Sequence, residues 1–573
     1  MTLTLHGVGA SAGIGIGTAV CVREQNLDYT SVPFSGAEQE KARLRAAADL
    51  FTQRTQAMAD DITNRLGEAE AAILTGQIMM LEDPFMLSQM EEAIDTGKCA
   101  EEALDTVCQT FIAMFSGVED ELMRQRAADI GDIRTRMLGI LLHAESVDLA
   151  ALPEGTVLVV HDLTPSMTVS LSKEHVCAIL TEVGGQTSHS AILARALEVP
   201  AVLGVPGLLD AVQDGMTVAV DGTEGAALLC PDEATLAAFQ ARRDKWLEER
   251  ALLQVYRDRD TRTADGRHVD LYANIGSVAD AKAAAEAGAE GIGLFRTEFL
   301  FMDRTALPDE EEQYQAYAQV SDLMAGKEVI IRTLDVGGDK GIAYLEMERE
   351  ENPFLGHRAI RYCLDRPDLY RVQLRALLRA GARHGNIKIM LPLVSGVEEV
   401  RGARALLEEC KAQLSAEGLA FDPHISLGIM VETPAAALIA DLLAREADFF
   451  SIGTNDLTQY TIAVDRGNAK VEKLYTCYHP AVLRSIRSVI AAGKAAGIPV
   501  GMCGEAAADP RMIPLLLAFG LDEFSVSPSS ILAARKQIAD WNGPDALRTA
   551  EQAMALDTAA QVSDFLAQAS ASL

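Results

Sequence analysis

Apolar residues recur at helical spacing between Ser35 and about Ala144. The pattern begins with Leu44, Ala47, Ala48, Phe51, Met58 and Ile62. Such spacing places apolar side chains on one face of a helix. Pro84 and Gly97 interrupt the pattern, and further helical runs follow each of them. We therefore expect a small helical bundle here, inserted within a domain that is rich in strands.

Short apolar runs on either side of this helical stretch have the length of strands. The opening segment, residues 3–13, reads as a glycine-rich strand and turn, and Ala12 at the third glycine position argues against a dinucleotide-binding loop. Beyond Leu152 strands alternate with helices, which predicts an α/β domain. The predicted strands are Thr156–Val160, Ala178–Thr181, Ala201–Leu203 and Thr217–Val220.

From His268 onward strands and helices alternate in a regular rhythm. Eight short apolar strands, each followed by a helical stretch, favour a (β/α)8 barrel over a doubly wound open sheet. The predicted strands are Leu271–Asn274, Gly291–Phe295, Val329–Leu334, Ile387–Leu391, Leu427–Val431, Phe449–Gly453, Pro499–Cys503 and Glu523–Val526. The fold class that we expect is therefore multidomain α/β with a C-terminal barrel.

The elements divide the chain into four parts. Residues 1–34 and 145–230 form a swivelling α/β domain, and residues 35–144 form the inserted helical domain. Residues 231–260 are charged and lack glycine and proline after Pro231, which is typical of a helical linker. Residues 261–573 form the barrel.

Composition and charge limit the classes of protein to which this chain can belong. The 573 residues are 49% apolar and carry a formal net charge of −33, which argues against partners such as nucleic acid or an anionic membrane surface. The nine cysteines are scattered and form no Cys-x-x-Cys pair, as is usual in a reducing compartment. No apolar run has the form of a signal peptide or a membrane span. We expect a cytoplasmic protein without membrane insertion.

One histidine stands in a distinctive setting, Gly184-Gly185-Gln186-Thr187-Ser188-His189, followed by an amphipathic pattern. The glycines allow a sharp turn, and the start of a helix offers free N–H groups to an anion. A neutral imidazole there has the chemistry to attack phosphorus and form a phosphohistidine. The alternative is an ordinary capped helix with a surface histidine.

The ends of the predicted barrel strands carry polar residues, and in such barrels these ends form the active site. Three arginines suit a phosphate and a carboxylate, Glu432 and Asp456 suit Mg²⁺, and Asn455 can donate a hydrogen bond to a phosphoryl group. Cys503 is a thiol that could protonate the carbon of an enolate. The arginines are Arg296, Arg332 and Arg466.

Three segments resemble the phosphoenolpyruvate-utilising enzyme family: Gly184–Arg195, Glu351–Arg361 and Asp448–Asn468. The likeness extends over the whole chain and is to the branch that serves the bacterial sugar phosphotransferase system. It implies that phosphoenolpyruvate binds the barrel with Mg²⁺ and phosphorylates His189 as a tele-phosphohistidine. The phosphoryl group would then pass to a histidine of the carrier protein HPr, docked on the helical domain, with release of pyruvate.

The resemblance also implies roles for individual residues. Glu432 and Asp456 match metal ligands, Cys503 matches a proton donor, and a homodimer through the barrel is implied. His357 stands where well-known members have tryptophan. The residues that match phosphoenolpyruvate-binding positions are Arg296, Arg332, Arg358, Asn455, Asp456 and Arg466. For the docking site, Met79, Met80 and Phe85 fit either an exposed patch or a helical core.

Four alternatives remain to be weighed. A dikinase would need an ATP-binding domain of about 200 residues, for which the chain has no room. The nitrogen-related paralogue resembles this chain plus an N-terminal sensory domain, whereas here we expect the α/β domain to begin at residue 3. A non-catalytic sensor would not need both His189 and Cys503. A carbon–carbon lyase on the same barrel would leave the domain of His189 without a purpose.

Overall fold

The computed structural model describes residues 3–23, 27–65, 68–116, 121–144, 149, 152–163, 167, 171, 175–185, 191, 194, 199–302, 306–337, 342–345, 347, 350–466, 468 and 470–571. The chain divides into two compact units, Met1–Arg250 and Ala251–Leu573.

The first unit contains an eight-stranded sheet. Its strands are β1 (Leu3–His6), β2 (Val8–Ser11), β3 (Ile14–Val22), β4 (Thr156–Val160), β5 (Val176–Thr181), β6 (Ala201–Leu203), β7 (Thr217–Asp221) and β8 (Ala226–Leu229). They lie in the order β1-β8-β7-β3-β4-β5-β6-β2. The four strands from β3 to β6 are parallel, and the remaining pairs are antiparallel.

The parallel strands are covered on both faces, which explains their continuous apolar sequence. In β4, Val157 and Val159 pack into one apolar cluster, whereas Leu158 and Val160 pack into another. Successive side chains of a strand point to opposite faces. All five residues of β4 are buried in consequence.

Between β3 and β4 in the sequence, the described residues form the helices α1 (Ala37–Arg65), α2 (Glu68–Leu81), α3 (Pro84–Asp95), α4 (Ala100–Ser116) and α5 (Glu121–Leu141). Their apolar faces form a core of their own around Phe51, Met90 and Ile133. The guanidinium of Arg136 lies 4.3 Å from the centre of the Phe51 ring. Two more helices follow among the residues that the structure describes: α6 (Leu208–Ala211) and α7 (Glu233–Gln254), the second of which leads into the barrel unit.

The second unit is built on a closed barrel. Its strands are β9 (Asp270–Ile275), β10 (Ile292–Arg296), β11 (Val329–Arg332), β12 (Ile387–Leu391), β13 (Ser426–Val431), β14 (Phe450–Ile452), β15 (Val500–Met502) and β16 (Glu523–Val526). Each pairs in parallel with the next, and β16 pairs with β9 to close the ring.

Helices follow the barrel strands. They are α8 (Val278–Glu286), α9 (Glu310–Leu323), α10 (Ala359–Asp365), α11 (Pro367–Gly381), α12 (Val397–Glu417), α13 (Pro434–Leu438), α14 (Ala440–Leu443), α15 (Thr454–Ile462), α16 (Pro480–Ala496), α17 (Ile513–Phe519), α18 (Ile531–Asp540), α19 (Gly543–Met554) and α20 (Ala559–Ala571). None of the helices described is both long and apolar enough to cross a membrane.

Alternate residues of the barrel strands pack into two different apolar clusters. Ile387, Ile389 and Leu391 of β12 belong to the large apolar cluster that also contains side chains of the surrounding helices. Met390, between them, belongs to a small cluster with residues such as Ile330, Met430 and Cys503, which lies inside the barrel. The predicted fold class is confirmed, and closure of the ring excludes the open doubly wound sheet for this part of the chain.

Candidate active site

The predicted barrel residues lie at the carboxyl ends of their strands. Arg296 and Arg332 are the last residues of β10 and β11, and they are paired in register. Glu432 directly follows β13, and Cys503 directly follows β15. Asp456 lies in the first turn of α15, just after β14. Because all eight strands are parallel, these ends form one rim of the barrel.

Arg332 is held between two carboxylates. Its Nη2 lies 2.6 Å from Glu298 Oε1, and its Nη1 lies 2.9 Å from Asp335 Oδ2. Burial alone would lower the pKa of Arg332, but the charges of Asp335, Glu298 and Glu432 outweigh it and raise the pKa. Arg332 therefore stays charged although only 7% of it is exposed.

Arg358 reaches the same carboxylate from the loop before α10. Its Nη2 lies 2.8 Å from Asp335 Oδ1 and 3.9 Å from Asp456 Oδ2. Its guanidinium also lies 5.7 Å from the centre of the Phe354 ring. The neighbouring His357 is half-exposed and makes an edge contact with Tyr362. The family resemblance leads us to expect tryptophan at this position, so the difference concerns packing near the surface.

Glu432 and Asp456 are the two buried carboxylates proposed as metal ligands. Glu432 Oε1 accepts a hydrogen bond from the backbone N–H of Leu393 at 2.5 Å. Gly453 allows the close approach, since a Cβ there would lie 2.9 Å from Glu432 Oε2. Burial, together with the charges of Asp456 and Asp335, raises the pKa of Glu432 to about 8. A cation between these carboxylates would remove that penalty.

Backbone strain accompanies the rim. Leu393, which donates to Glu432, has a φ of 53°, and Ala359, next to Arg358, has a φ of 52°. Side chains other than glycine rarely adopt this left-handed region, and it costs about 1–3 kcal/mol. The surrounding structure therefore holds both segments in place against a local preference.

Cys503 lies below the charged residues. Only 3% of it is exposed, and it packs with Leu294, Ile330 and Met430 inside the barrel. Burial is the main cause that raises the pKa of the thiol to about 12. Cys503 is therefore a neutral S–H group, which suits a proton donor better than a nucleophile.

The remaining predicted residues are more exposed. Asn455 exchanges two hydrogen bonds of 3.0 Å with Glu505, one from its amide nitrogen and one to its amide oxygen. Arg466 Nη2 lies 3.6 Å from Asp456 Oδ1. Arg296 is exposed, and the structure gives it no ion pair with any described residue.

Three family models match the chain in order: the PEP-utilising enzyme N-terminal model over residues 6–126, the mobile-domain model over 152–225 and the PEP-binding-domain model over 250–542. The chain belongs to the PEP-utilising enzyme family. Its rim residues all fall within the match to the PEP-binding domain of that family.

Curated relatives within the family match nearly the whole chain. A phosphoenolpyruvate-protein phosphotransferase of Staphylococcus carnosus (strain TM300) is 44% identical and covers 99% of both chains. One from Geobacillus stearothermophilus is 46% identical, over 98% of this chain and 97% of the relative. One from Bacillus subtilis (strain 168) is 43% identical, over 98% of this chain and 99% of the relative.

His189 falls within the match to the mobile domain but lies outside the described residues. Gly184, Ala191 and Ala194 are among the described residues near it. Gly184 has a φ of 109°, in the region that favours glycine. Ala191 and Ala194 are fully buried in the apolar cluster that also contains Leu158 and Val160.

Two residues of the rim were missed by sequence reasoning, Glu298 and Asp335. Each is an acidic residue two or three positions after a predicted arginine, in Arg296-Thr297-Glu298 and Arg332-Thr333-Leu334-Asp335. An acidic residue two or three positions after the arginine that ends a strand is the sequence signal that could have identified them. A second group, His268, Asp270 and Glu290, has ligand atoms within 4.8 Å of one another, but it lies at the amino end of the barrel.

Proposed function

We propose that this chain transfers the phosphoryl group of phosphoenolpyruvate to its own His189 and then to a histidine of the carrier protein HPr, releasing pyruvate. The observation that carries the proposal is the rim itself, where buried arginines, paired carboxylates and a neutral thiol meet. The name phosphoenolpyruvate-protein phosphotransferase, borne by relatives of matching length, supports both the donor and a protein acceptor.

Arginines account for binding of the substrate. Phosphoenolpyruvate carries a phosphate and a carboxylate, and each can accept forked hydrogen bonds from a guanidinium. Among the described residues, Arg332 Nε and Arg358 Nε and Nη1 are buried donors without an acceptor. Arg296 and Arg466 add positive charge at the open side of the rim, and we assign the Asn455 amide to the phosphoryl group.

Glu432 and Asp456 are the residues that would hold Mg²⁺. Their carboxylate oxygens are the ligands this ion prefers, and the raised pKa of Glu432 marks a site where negative charges are poorly compensated. When bound, the ion supplies positive charge beside the phosphate oxygens.

The proton balance assigns a role to Cys503. As the phosphorus–oxygen bond of the substrate breaks, a phosphorus–nitrogen bond to His189 forms and an enolate remains. The Cys503 thiol gives its proton to the enolate carbon, which yields pyruvate and a thiolate that regains a proton from solvent. The high pKa of the thiol keeps the proton in place until that base appears.

The other parts of the chain complete the proposal. We assign residues 1–34 and 145–230 to carriage of the phosphoryl group, 35–144 to HPr, 231–260 to the linker, and 261–573 to substrate binding and a homodimer. In the helical part, Met79, Phe85 and Met114 are exposed, which supports an apolar docking patch. The nine cysteines are free, which supports a cytoplasmic location.

The test is incubation with ³²P-labelled phosphoenolpyruvate and Mg²⁺, followed by addition of HPr. We expect acid-labile label on the wild-type chain, none on His189→Ala, and transfer to HPr. Label that remains on the chain would indicate a different acceptor protein. A wild-type chain that takes up no label would refute the enzymatic proposal and favour a phosphoenolpyruvate sensor.

A further inference from the structure

Asp335 lies between two arginines of the rim and has no role in the mechanism proposed above. Its two carboxylate oxygens are divided between two arginines, with Oδ2 at 2.9 Å from Arg332 and Oδ1 at 2.8 Å from Arg358. All three side chains are buried, with 3–7% exposed. The arginines come from different elements, one ending β11 and the other preceding α10. One carboxylate thus joins the two guanidinium groups.

Two isolated guanidinium groups at this spacing would repel each other in a site shielded from water. The charge of Asp335 is a major cause of the raised pKa of each arginine. In Arg332, one terminal nitrogen contacts Asp335 and the other contacts Glu298, and two such contacts fix the plane of a guanidinium because its N–H groups point in fixed directions. The donors that Asp335 leaves over, Arg332 Nε and Arg358 Nε and Nη1, have no acceptor among the described residues.

We propose that Asp335 is a positioning residue, which orients Arg332 and Arg358 so that their remaining N–H groups converge on the anionic groups of the substrate. Glu298 assists by fixing the other side of Arg332. Asp335 itself does not touch the substrate. This inference rests on the proposed function, since it takes the substrate to be a phosphorylated carboxylic acid.

The chain offers a matched control for Asp335. Glu310, at the start of α9, also bridges two arginines, with Oε2 at 2.6 Å from Arg375 and Oε1 at 2.7 Å from Arg379. These arginines lie on α11, outside the barrel, and neither belongs to the rim. Glu310→Gln therefore disturbs the same kind of bridge away from the site.

The experiment compares Asp335→Asn, Asp335→Glu and Glu310→Gln in the full-length chain. In Asp335→Asn one oxygen becomes an N–H donor that faces a guanidinium, so one arginine loses its support. Misplacement of a binding group by about 1 Å costs on the order of 100-fold in rate. We expect kcat/KM for phosphoenolpyruvate to fall by about that factor. Most of the fall should come from KM, and Asp335→Glu should recover part of it.

Binding is measured separately by calorimetry with phosphoenolpyruvate and Mg²⁺ on a His189→Ala background, which prevents turnover. Weaker binding for Asp335→Asn, with normal binding for Glu310→Gln and unchanged tryptophan fluorescence of each variant, would support the proposal. If the wild type is labelled and Asp335→Asn binds and reacts as Glu310→Gln does, the positioning role is refuted and the proposed function stands. If the wild type neither binds nor is labelled, both proposals fall.

Discussion

Replacing Glu523 with glutamine should remove part of the pH dependence of barrel stability. Glu523 is the first residue of β16, and its side chain lies inside the barrel with 7% exposed. Two glycines leave space for the Glu523 side chain, because a Cβ at Gly293 or Gly501 would overlap its carboxyl oxygens. Glu523 Oε1 has no hydrogen-bond partner among the described residues.

The charges around Glu523 come from several strands. Asp270 of β9 and Glu328, just before β11, add to the effect of burial, and together they raise the pKa of Glu523 well above its usual 4.5. Lys388 of β12 and Ser525 of β16 act in the opposite direction. The compensation from Lys388 is incomplete because its ammonium already lies 2.5 Å from Glu328 Oε1.

The sign of the effect follows from proton binding. Below the unfolded pKa, both the folded and the unfolded chain carry the proton on Glu523. Above it, the unfolded chain loses the proton while the folded chain keeps it, so the free energy of unfolding falls as pH rises. The fall is about 1.4 kcal/mol per pH unit until the folded pKa is reached. Glutamine does not titrate and should lack this contribution.

The chain has two tryptophans, and Trp541 is buried in the barrel unit whereas Trp246 lies on α7. A Trp246→Phe background therefore makes fluorescence report on the barrel. Urea unfolding at about pH 5.5 and 6.5 should give a loss of stability that is about 1.4 kcal/mol smaller for Glu523→Gln. Glu551→Gln, at an exposed carboxylate, should behave like the parent. Equal pH slopes for Glu523→Gln and the parent would refute a neutral Glu523.

Three further predictions concern other parts of the chain. Cys503→Ala should slow pyruvate release by about 10²–10⁴-fold, the usual contribution of a general acid, as measured by single-turnover kinetics. Mg²⁺ should raise the melting temperature of the wild-type barrel, and Glu432→Gln should abolish that rise in calorimetry, because a ligand stabilises only the state that binds it. Phe51→Ala should destabilise the helical region by about 3–5 kcal/mol, seen by circular dichroism, and leave the Trp541 transition unchanged.

The sequence was sufficient to predict the barrel because each strand carries its own signal. The apolar run Ile387–Leu391 was predicted within its observed bounds, and so was Glu523–Val526. The strand Ala226–Leu229 was missed although all four residues are apolar, because alanine and leucine favour helices and give no strand signal of their own. It is a strand because β1 and β7 pair with it on either side. Pairing partners that lie far apart in the sequence leave no local pattern.

The same limit explains which site residues were predicted. Arg296 and Arg332 end strands and Glu432 directly follows one, and the rule that barrel strands carry the site at their carboxyl ends finds such residues. Glu298 and Asp335 act through contacts with arginines, and the contact of Glu298 with Arg332 spans 34 positions. That contact depends on the register between β10 and β11, which places Arg296 beside Arg332. Only the three-dimensional structure supplies this register.

The formal net charge of −33 does not by itself suggest the anionic substrate that we propose for this chain. Surface charges act weakly beyond about 8 Å at physiological salt, so the total charge matters less than the groups at the rim. At the rim, Arg332 and Arg358 are buried, and the carboxylates beside them keep both guanidinium groups charged. The N–H groups that these carboxylates do not contact remain without an acceptor among the described residues. At the opposite end of the barrel, Glu523 lacks such a partner and keeps its proton instead. The anion binding proposed for this rim would therefore depend on local pairing of buried charges, which composition does not reveal.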